Sequence, residues 1–227
     1  MNLLALETST RRLSVALWRD GDLSERSEDM PNGGSERLLP WVNELLAEAG
    51  LRLSDLDGIA FGAGPGGFTG LRLAAGCVQG LAYGLDLPVL GVCTLETLAQ
   101  QCGEGKVFAC LDARMSEVYS AAYVDGIEAL PPSVGSAGSV AAPPGGGWTG
   151  AGDGFAVHGD ALAARLGDSM IACRPDVFPT AAAVARLAAP RFERGEGARG
   201  ADMAAPLYVR DKVALTTAER LARGGVR

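Results

Sequence analysis

The 227-residue chain contains one histidine, His158, and five cysteines, none of them in a C-x-x-C pair. With one imidazole and no paired thiols, a zinc site lacks its usual ligands, and there is no H-E-x-x-H helix. A Ser-His-Asp triad would have to use His158, and no G-x-S-x-G elbow is present. A lone histidine in the loop-rich second half reads as a surface residue. Cys77, Cys93, Cys102, Cys110 and Cys173 are odd in number, and three lie in apolar runs, as small buried hydrophobes of a reducing compartment do. Basic clusters are also scarce. Twenty Lys and Arg against 27 Asp and Glu give a net charge of −7, and Arg11-Arg12 is the one adjacent pair. Unaided binding to RNA or to an anionic membrane is therefore not expected. The uncharged run from Leu73 to Leu85 is too short and too glycine-rich to span a bilayer. The opening "MNLLALETST" lacks the basic start of a signal peptide. These features predict a soluble cytoplasmic protein whose 48% hydrophobic content supplies a core for one or two domains.

Hydrophobic periodicity divides the chain. "NLLALET" and "LSVALWRDG" read as strands with a turn signal at Asp20-Gly21, and "DLSERSEDM" pairs as a third. "SERLLPWVNELLAEAG" places Leu38, Val42, Leu45, Leu46 and Ala49 on one helical face, with Ser35 as N-cap, Pro40 in the first turns and Gly50 as the stop. "DGIAFGAG" is a strand, Phe68 to Leu85 a helix, "LPVLGVC" a strand and "TLETLAQQC" a helix. Near Gly103-Glu104-Gly105 the pattern restarts. "VFACLDARMSEVYSAAYVDG" lies without gaps over the segment 105 residues earlier, setting Asp112 on Glu7, Leu111 on Leu6, Ala121 on Ala16 and Asp125-Gly126 on Asp20-Gly21. Two lobes that begin with the same hairpin follow, residues 1–103 and 104–227. The second is loop-rich over 131–157, with a short strand near Trp148. "ALAARLGD" and "TAAAVARLAAPRFERG" are helical, and the last five residues read as a disordered tail.

Three motifs bear on function. Gly62 to Gly67 matches G-x-G-x-x-G, but a hairpin and helix precede it, Pro65 interrupts it, and no P-loop lysine follows. A tight turn and contact surface is the favoured reading over a phosphate cradle. Gly76, Gly80 and Gly84 then recur every fourth residue along the following helix. Interior glycine costs about 0.8–1 kcal/mol relative to alanine, so this face demands a reason, either close approach of another protein or packing inside this one. Finally, Glu7 and Asp112 end the two repeated first strands. Across a cleft they could serve metal or base chemistry, with Thr8 and Ser9 touching a phosphate; strand-end capping is the simpler alternative.

"LLALETST", "LSVALW", "RLLPWVNELL", "FGAGPGGFTGLRLAAGCVQGLA", "PVLGVCTLETLAQ", "LDARMSEVYSAAY" and "PLYVRDKVA" together resemble the bacterial TsaB (YeaZ) family, in family order from residue 3 to about 213. The resemblance implies an α/β actin/Hsp70/sugar-kinase-like fold of two ribonuclease-H-like lobes. It implies a non-catalytic scaffold for making N6-threonylcarbamoyladenosine at position 37 of tRNAs reading codons that start with A. Its partners would be a TsaD-like catalytic paralogue and a TsaE-like ATPase, with tRNA reached through the complex and no membrane involved. No metal or cofactor of its own is implied, and a nucleotide only with partner subunits. The isolated chain could form a homodimer. The resemblance places the pairing surface on first-lobe helices, with Phe68, Thr69, Arg72, Leu73, Gly76 and Gly80 as contacts, joined by Leu38, Trp41 and Val42. Many TsaB sequences carry a histidine before the first helix; here Gly33-Gly34-Ser35 stands instead. Two other readings remain: a small-molecule or nucleotide phosphotransferase using Glu7 and Asp112, with Thr8 and Ser9 in a vestigial nucleotide cleft, and a metalloprotease, which the missing histidines disfavour.

Overall fold

The computed structural model describes residues 1–30, 34–200 and 204–210; the expected disordered tail lies outside them. The first sheet comprises β1 (Asn2–Glu7), β2 (Arg12–Arg19), β3 (Asp22–Asp29), β4 (Gly58–Gly64) and β5 (Val89–Cys93), in the order β3-β2-β1-β4-β5. The second comprises β6 (Lys106–Asp112), β7 (Glu117–Val124), β8 (Ile127–Ser136), β9 (Trp148–Ala151) and β10 (Met170–Arg174). Its order, β8-β7-β6-β9-β10, is the same once the numbering is shifted by five strands. In both, the first three strands form an antiparallel meander and the last two join in parallel. This is a duplicated ribonuclease-H-like architecture of the actin/Hsp70/sugar-kinase type. Both hairpins turn on the same dipeptide, with Asp20 and Asp125 each at φ 50° and a glycine of positive φ after each. That matches the tight turn a right-twisted hairpin requires.

The gapless superposition of the two repeats holds for β2 and β7 but is one residue out for β1 and β6. In the first lobe Ala5 pairs with Ala16 and Glu7 with Ser14. In the second, Ala109 pairs with Ala121 and Leu111 with Tyr119. Leu111 is thus the counterpart of Glu7, and Asp112 the counterpart of Thr8. The second hairpin holds one extra residue in the β6–β7 turn, where Arg114, Met115 and Ser116 all take positive φ. A one-residue slip sends a side chain to the opposite face of its sheet. Glu7 and Asp112 therefore do not face one another.

Helices α1 (Ser35–Ala49) and α2 (Phe68–Leu85) cover one face of the first sheet. Leu38, Trp41, Val42, Leu45 and Leu46 of α1 pack against Leu4, Leu6, Val15 and Leu17, and Ala74, Ala75, Val78 and Ala82 of α2 join the same core. Gly34, not Ser35, occupies the N-cap position; Ser35 is the first helical residue, so Pro40 falls at the start of the second turn. Two of the remaining helices cross between lobes. α3 (Thr94–Gln100) follows the first sheet in sequence but packs on the second. α6 (Ala181–Glu193) follows the second sheet and packs on the first, with Ala181, Val184, Ala185 and Ala188 against Ala5, Ala16 and Ala60. α4 (Gly154–Val157) and α5 (Gly159–Leu166) serve the second lobe, where Leu162 and Leu166 of α5 pack with Phe108 and Trp148.

The start of α6 shows how this exchange is fastened. Its first N–H groups donate to Ser14 Oγ (2.7 Å, from Ala181), Glu25 Oε1 (2.8 Å, from Ala182) and Thr180 Oγ1 (3.3 Å, from Ala183). Helix-start amides need such acceptors, and two of these three come from the first sheet. Ser14→Ala is expected to cost about 1–3 kcal/mol, because the Ala181 N–H is then buried without a partner. Urea denaturation would read the loss as a lower midpoint.

Two strands escape the sequence reading. β8 runs through Pro131 and Pro132, which an edge strand tolerates, and β10 is exposed over most of its length. No helix among the described residues is long and apolar enough to cross a membrane.

Candidate partner groove and interlobe cleft

The sequence left open whether the α2 glycines pack inside the protein. Gly76, Gly80 and Gly84 are all exposed, and a β-carbon added at any of them would meet no atom of the described residues within 4 Å. Internal packing among the described residues does not account for them. Gly76 and Gly80 belong to one wall of an open groove of about 460 Å³ between α1 and α2. Leu38, Leu39, Leu73, Cys77 and Leu81 make it apolar, and Arg72 and Ser35 stand at its polar side. The bare helix face allows a partner backbone to approach further than any side chain would permit.

The residues expected at this surface divide. Gly76, Gly80, Leu73 and Arg72 line the groove, and Leu38 does so while 1% exposed. Phe68 and Thr69 sit exposed at the start of α2, with the Arg72 guanidinium 3.7 Å from the Phe68 ring centroid. Trp41 and Val42 do not line the groove and pack in the first core. Helical periodicity could mark them as apolar but not tell which apolar face was covered by the protein's own sheet. Leu39, 51% exposed, was missed because it lies off the face that periodicity picks out.

The second concavity is a cleft of about 850 Å³ between the lobes. Its first-lobe wall is Thr8 to Arg11 together with the glycine loop, Pro65 to Gly70; Asp112, Arg114, Tyr119 and Asp153 form the opposite side. The glycine loop is built for close packing on the β1–β2 turn. A β-carbon on Gly66 would come within 2.6 Å of Ser9 O, and one on Gly70 within 1.8 Å of Thr8 O. Gly67 N–H donates to Ser9 O (2.7 Å), and Thr8 Oγ1 donates to Gly70 O (2.7 Å).

Thr8, Ser9 and Asp112 line the cleft, but Glu7 does not. Its side chain is fully buried, folded against Gly62, where Oε1 accepts from Ser9 N–H at 2.7 Å and Oε2 finds no partner among the described residues. Burial pushes the Glu7 carboxyl above its ordinary range, opposed by its hydrogen bonds to Ser9 and Thr8. With the folded-state value raised, the native state holds its proton more tightly than the unfolded chain. Stability is greatest below the unfolded value and falls as pH rises through the folded one. Glu7→Gln should flatten that decline and raise stability at pH 8 by about 1–3 kcal/mol, measured by denaturant titration across pH. An enclosed carboxyl of this kind offers no base to a substrate in the cleft, so the geometric basis of the phosphotransferase reading is lost.

Asp112 has a partner the sequence gave no sign of. His158 Nε2 lies 3.0 Å from Asp112 Oδ1, and Arg114 contributes its N–H (3.1 Å) and its guanidinium (3.2 Å). His158 is thus half-buried and hydrogen-bonded, not a free surface residue. Forty-six residues separate the pair, which no local pattern could reveal. Asp153 accepts from Asp112 N–H at 3.0 Å, and desolvation raises its carboxyl above the ordinary range. Among the described residues no group of three or more His, Cys, Asp or Glu is arranged to hold a metal ion.

Comparison with known proteins gives a consistent answer. A sequence model of the family "TsaD: tRNA N6-adenosine threonylcarbamoyltransferase" matches residues 32–142. The tRNA threonylcarbamoyladenosine biosynthesis protein TsaB of Escherichia coli is 46% identical over 127 residues, 54% of this chain and 55% of the relative. The protein of the same name from Bacillus subtilis is 35% identical over 126 residues, with the same coverage. The chain spans about half the length of these curated relatives. The solved structure of YeaZ from Pseudomonas aeruginosa matches far more extensively, at 42% identity and TM-score 0.83, covering 91% of this chain and 99% of that one. From the shared duplicated fold and this near-complete match, the chain belongs to the TsaB (YeaZ) family.

Proposed function

We propose that this protein is a non-catalytic pairing subunit in the synthesis of N6-threonylcarbamoyladenosine at position 37 of tRNAs that read codons starting with A. Its partner is a TsaD-like transferase, which docks in the α1–α2 groove; the pair then engages a TsaE-like ATPase, and tRNA is reached through the assembly. The observation that carries this reading is the open glycine face. Two interior glycines, Gly76 and Gly80, lower helix stability, yet a β-carbon at either would meet nothing within 4 Å among the described residues beyond its own helix. They sit beside a row of apolar side chains that water would otherwise cover. Such an arrangement suits helix-against-helix approach, with Arg72 as the charged element that selects the partner.

The match to the transferase family's own sequence model supports a paralogous partner of the same fold. Support for catalysis by this chain is weak, because the acid at the end of β1 is enclosed. Calorimetric titration with the TsaD-like paralogue of the same organism should show tight, saturable binding. Absence of binding, together with ATP turnover by the isolated chain, would overturn the proposal. In cells, deletion of the gene should lower the modified nucleoside in bulk tRNA, and the re-introduced wild type should restore it.

A further inference from the structure

The interlobe cleft is bridged by the protein's own chain. Residues 204–210 cross its mouth, with Leu207, Tyr208, Val209 and Arg210 among its lining. On the first-lobe side the segment is tied at three points. Ala204 is fully buried in the first core, and its carbonyl accepts from Gln79 Nε2 of α2 at 3.0 Å. Leu207 N–H donates to Ala63 O at the end of β4 (2.6 Å). The Tyr208 ring lies 6.5 Å from that of Phe68 at the start of α2.

The other end is tied to the second lobe through one side chain. Arg210 donates to Ala113 O (3.0 Å) and pairs with Glu117 Oε2 (2.6 Å), with its guanidinium 5.9 Å from the Tyr119 ring centroid. It is 15% exposed, far more enclosed than an ordinary surface arginine. These two contacts bracket the β6–β7 turn, in which Arg114, Met115 and Ser116 hold φ of 63°, 55° and 62°. Left-handed backbone at successive non-glycine residues is unfavourable and persists only where the surroundings impose it. Arg210 grips both ends of the strained turn and so joins it to the first lobe.

We propose that residues 204–210 form an intramolecular clasp that sets the opening between the two lobes, with Arg210 as its latch on the β6–β7 turn. Leu207 and Tyr208 line the cleft, so a molecule bound there lies against the clasp. Because the clasp is also bonded to α2, it links the state of the cleft to the helix that bears the glycine face. The proposal is independent of what docks in the α1–α2 groove.

Amide hydrogen exchange on the full chain tests it. Arg210→Ala should speed exchange at least tenfold both in the 113–117 turn and in 204–208, two regions fastened to different lobes. Glu117→Gln, a milder change that keeps Arg210 in place, should move the same two regions in the same direction by a smaller factor. Arg199→Ala, which removes an exposed pairing with Asp86 inside the first lobe, should leave both unchanged. Faster exchange confined to 113–117, or none in either variant, would overturn the clasp and leave Arg210 as a local brace of the turn. Faster exchange throughout the chain in Arg210→Ala would signal general unfolding; the Glu117→Gln result then decides, with coupled loosening supporting the clasp and its absence overturning it.

Discussion

Gly76→Leu/Gly80→Leu is expected to abolish pairing with the TsaD-like paralogue while making the isolated protein more stable. The two effects have separate causes. In the free chain a β-carbon at either position meets nothing within 4 Å beyond its own stretch of helix among the described residues, and the side chain has the open groove to extend into. Replacing two interior glycines by good helix formers should add about 1–2 kcal/mol. In the complex, two isobutyl groups would stand where a partner helix must approach. We expect binding to weaken at least about 100-fold, or near 3 kcal/mol, by calorimetry, with a higher thermal midpoint for the variant alone. A variant that is more stable and still binds would place the interface elsewhere. Most interface mutations leave open whether binding failed because folding failed; here the open groove separates the two.

The opposite result is expected at Gly70, also on α2 and only six residues away. A β-carbon there would lie 1.8 Å from Thr8 O and 3.0 Å from Thr8 C, and backbone cannot turn aside as a flexible side chain can. The change would push α2 away from the β1–β2 turn and strain the Thr8 Oγ1–Gly70 O hydrogen bond. Gly70→Ala should therefore destabilise by about 3 kcal/mol or more, a fall in midpoint of roughly 6–12 °C for a chain this size. Gly80→Ala, in the interior of the same helix with open space around it, is the control and should stabilise by about 1 kcal/mol. If the two alanine variants behaved alike, the close seating of the glycine loop would be wrong. The contrast also explains the G-x-G-x-x-G match. Of its three glycines, Gly62 makes room for Glu7, Gly64 holds a positive φ beside Leu207 O, and Gly67 seats on Ser9 O; these are packing requirements of the turn and call for no ligand.

Much of the architecture was legible in the sequence because its causes are local. The α2 boundaries, the α1 core face and the two Asp-Gly hairpin turns all follow from periodicity and turn chemistry within a few residues. The repeat was visible because both lobes solve the same hairpin problem with the same dipeptide. The family was legible too, through motifs spread along nearly the whole chain.

Other features depend on separations no window spans. The offset of β6 by one residue comes from an extra residue in a left-handed turn, and it alone decides that Glu7 is enclosed while Asp112 reaches the cleft and His158. The placement of α3 and α6 requires both sheets to be in place, since α3, which lies between the sheets in sequence, packs on the one that follows it, and α6 buries its apolar face on the first sheet, which it does not adjoin in sequence. Trp41 and Val42 look like surface candidates until the first sheet claims them. The sequence by itself determined the elements, the duplication and the presence of a costly glycine face. Only the tertiary structure decided that the described residues leave this face open, because whether a helix face is covered depends on every other element that competes to cover it.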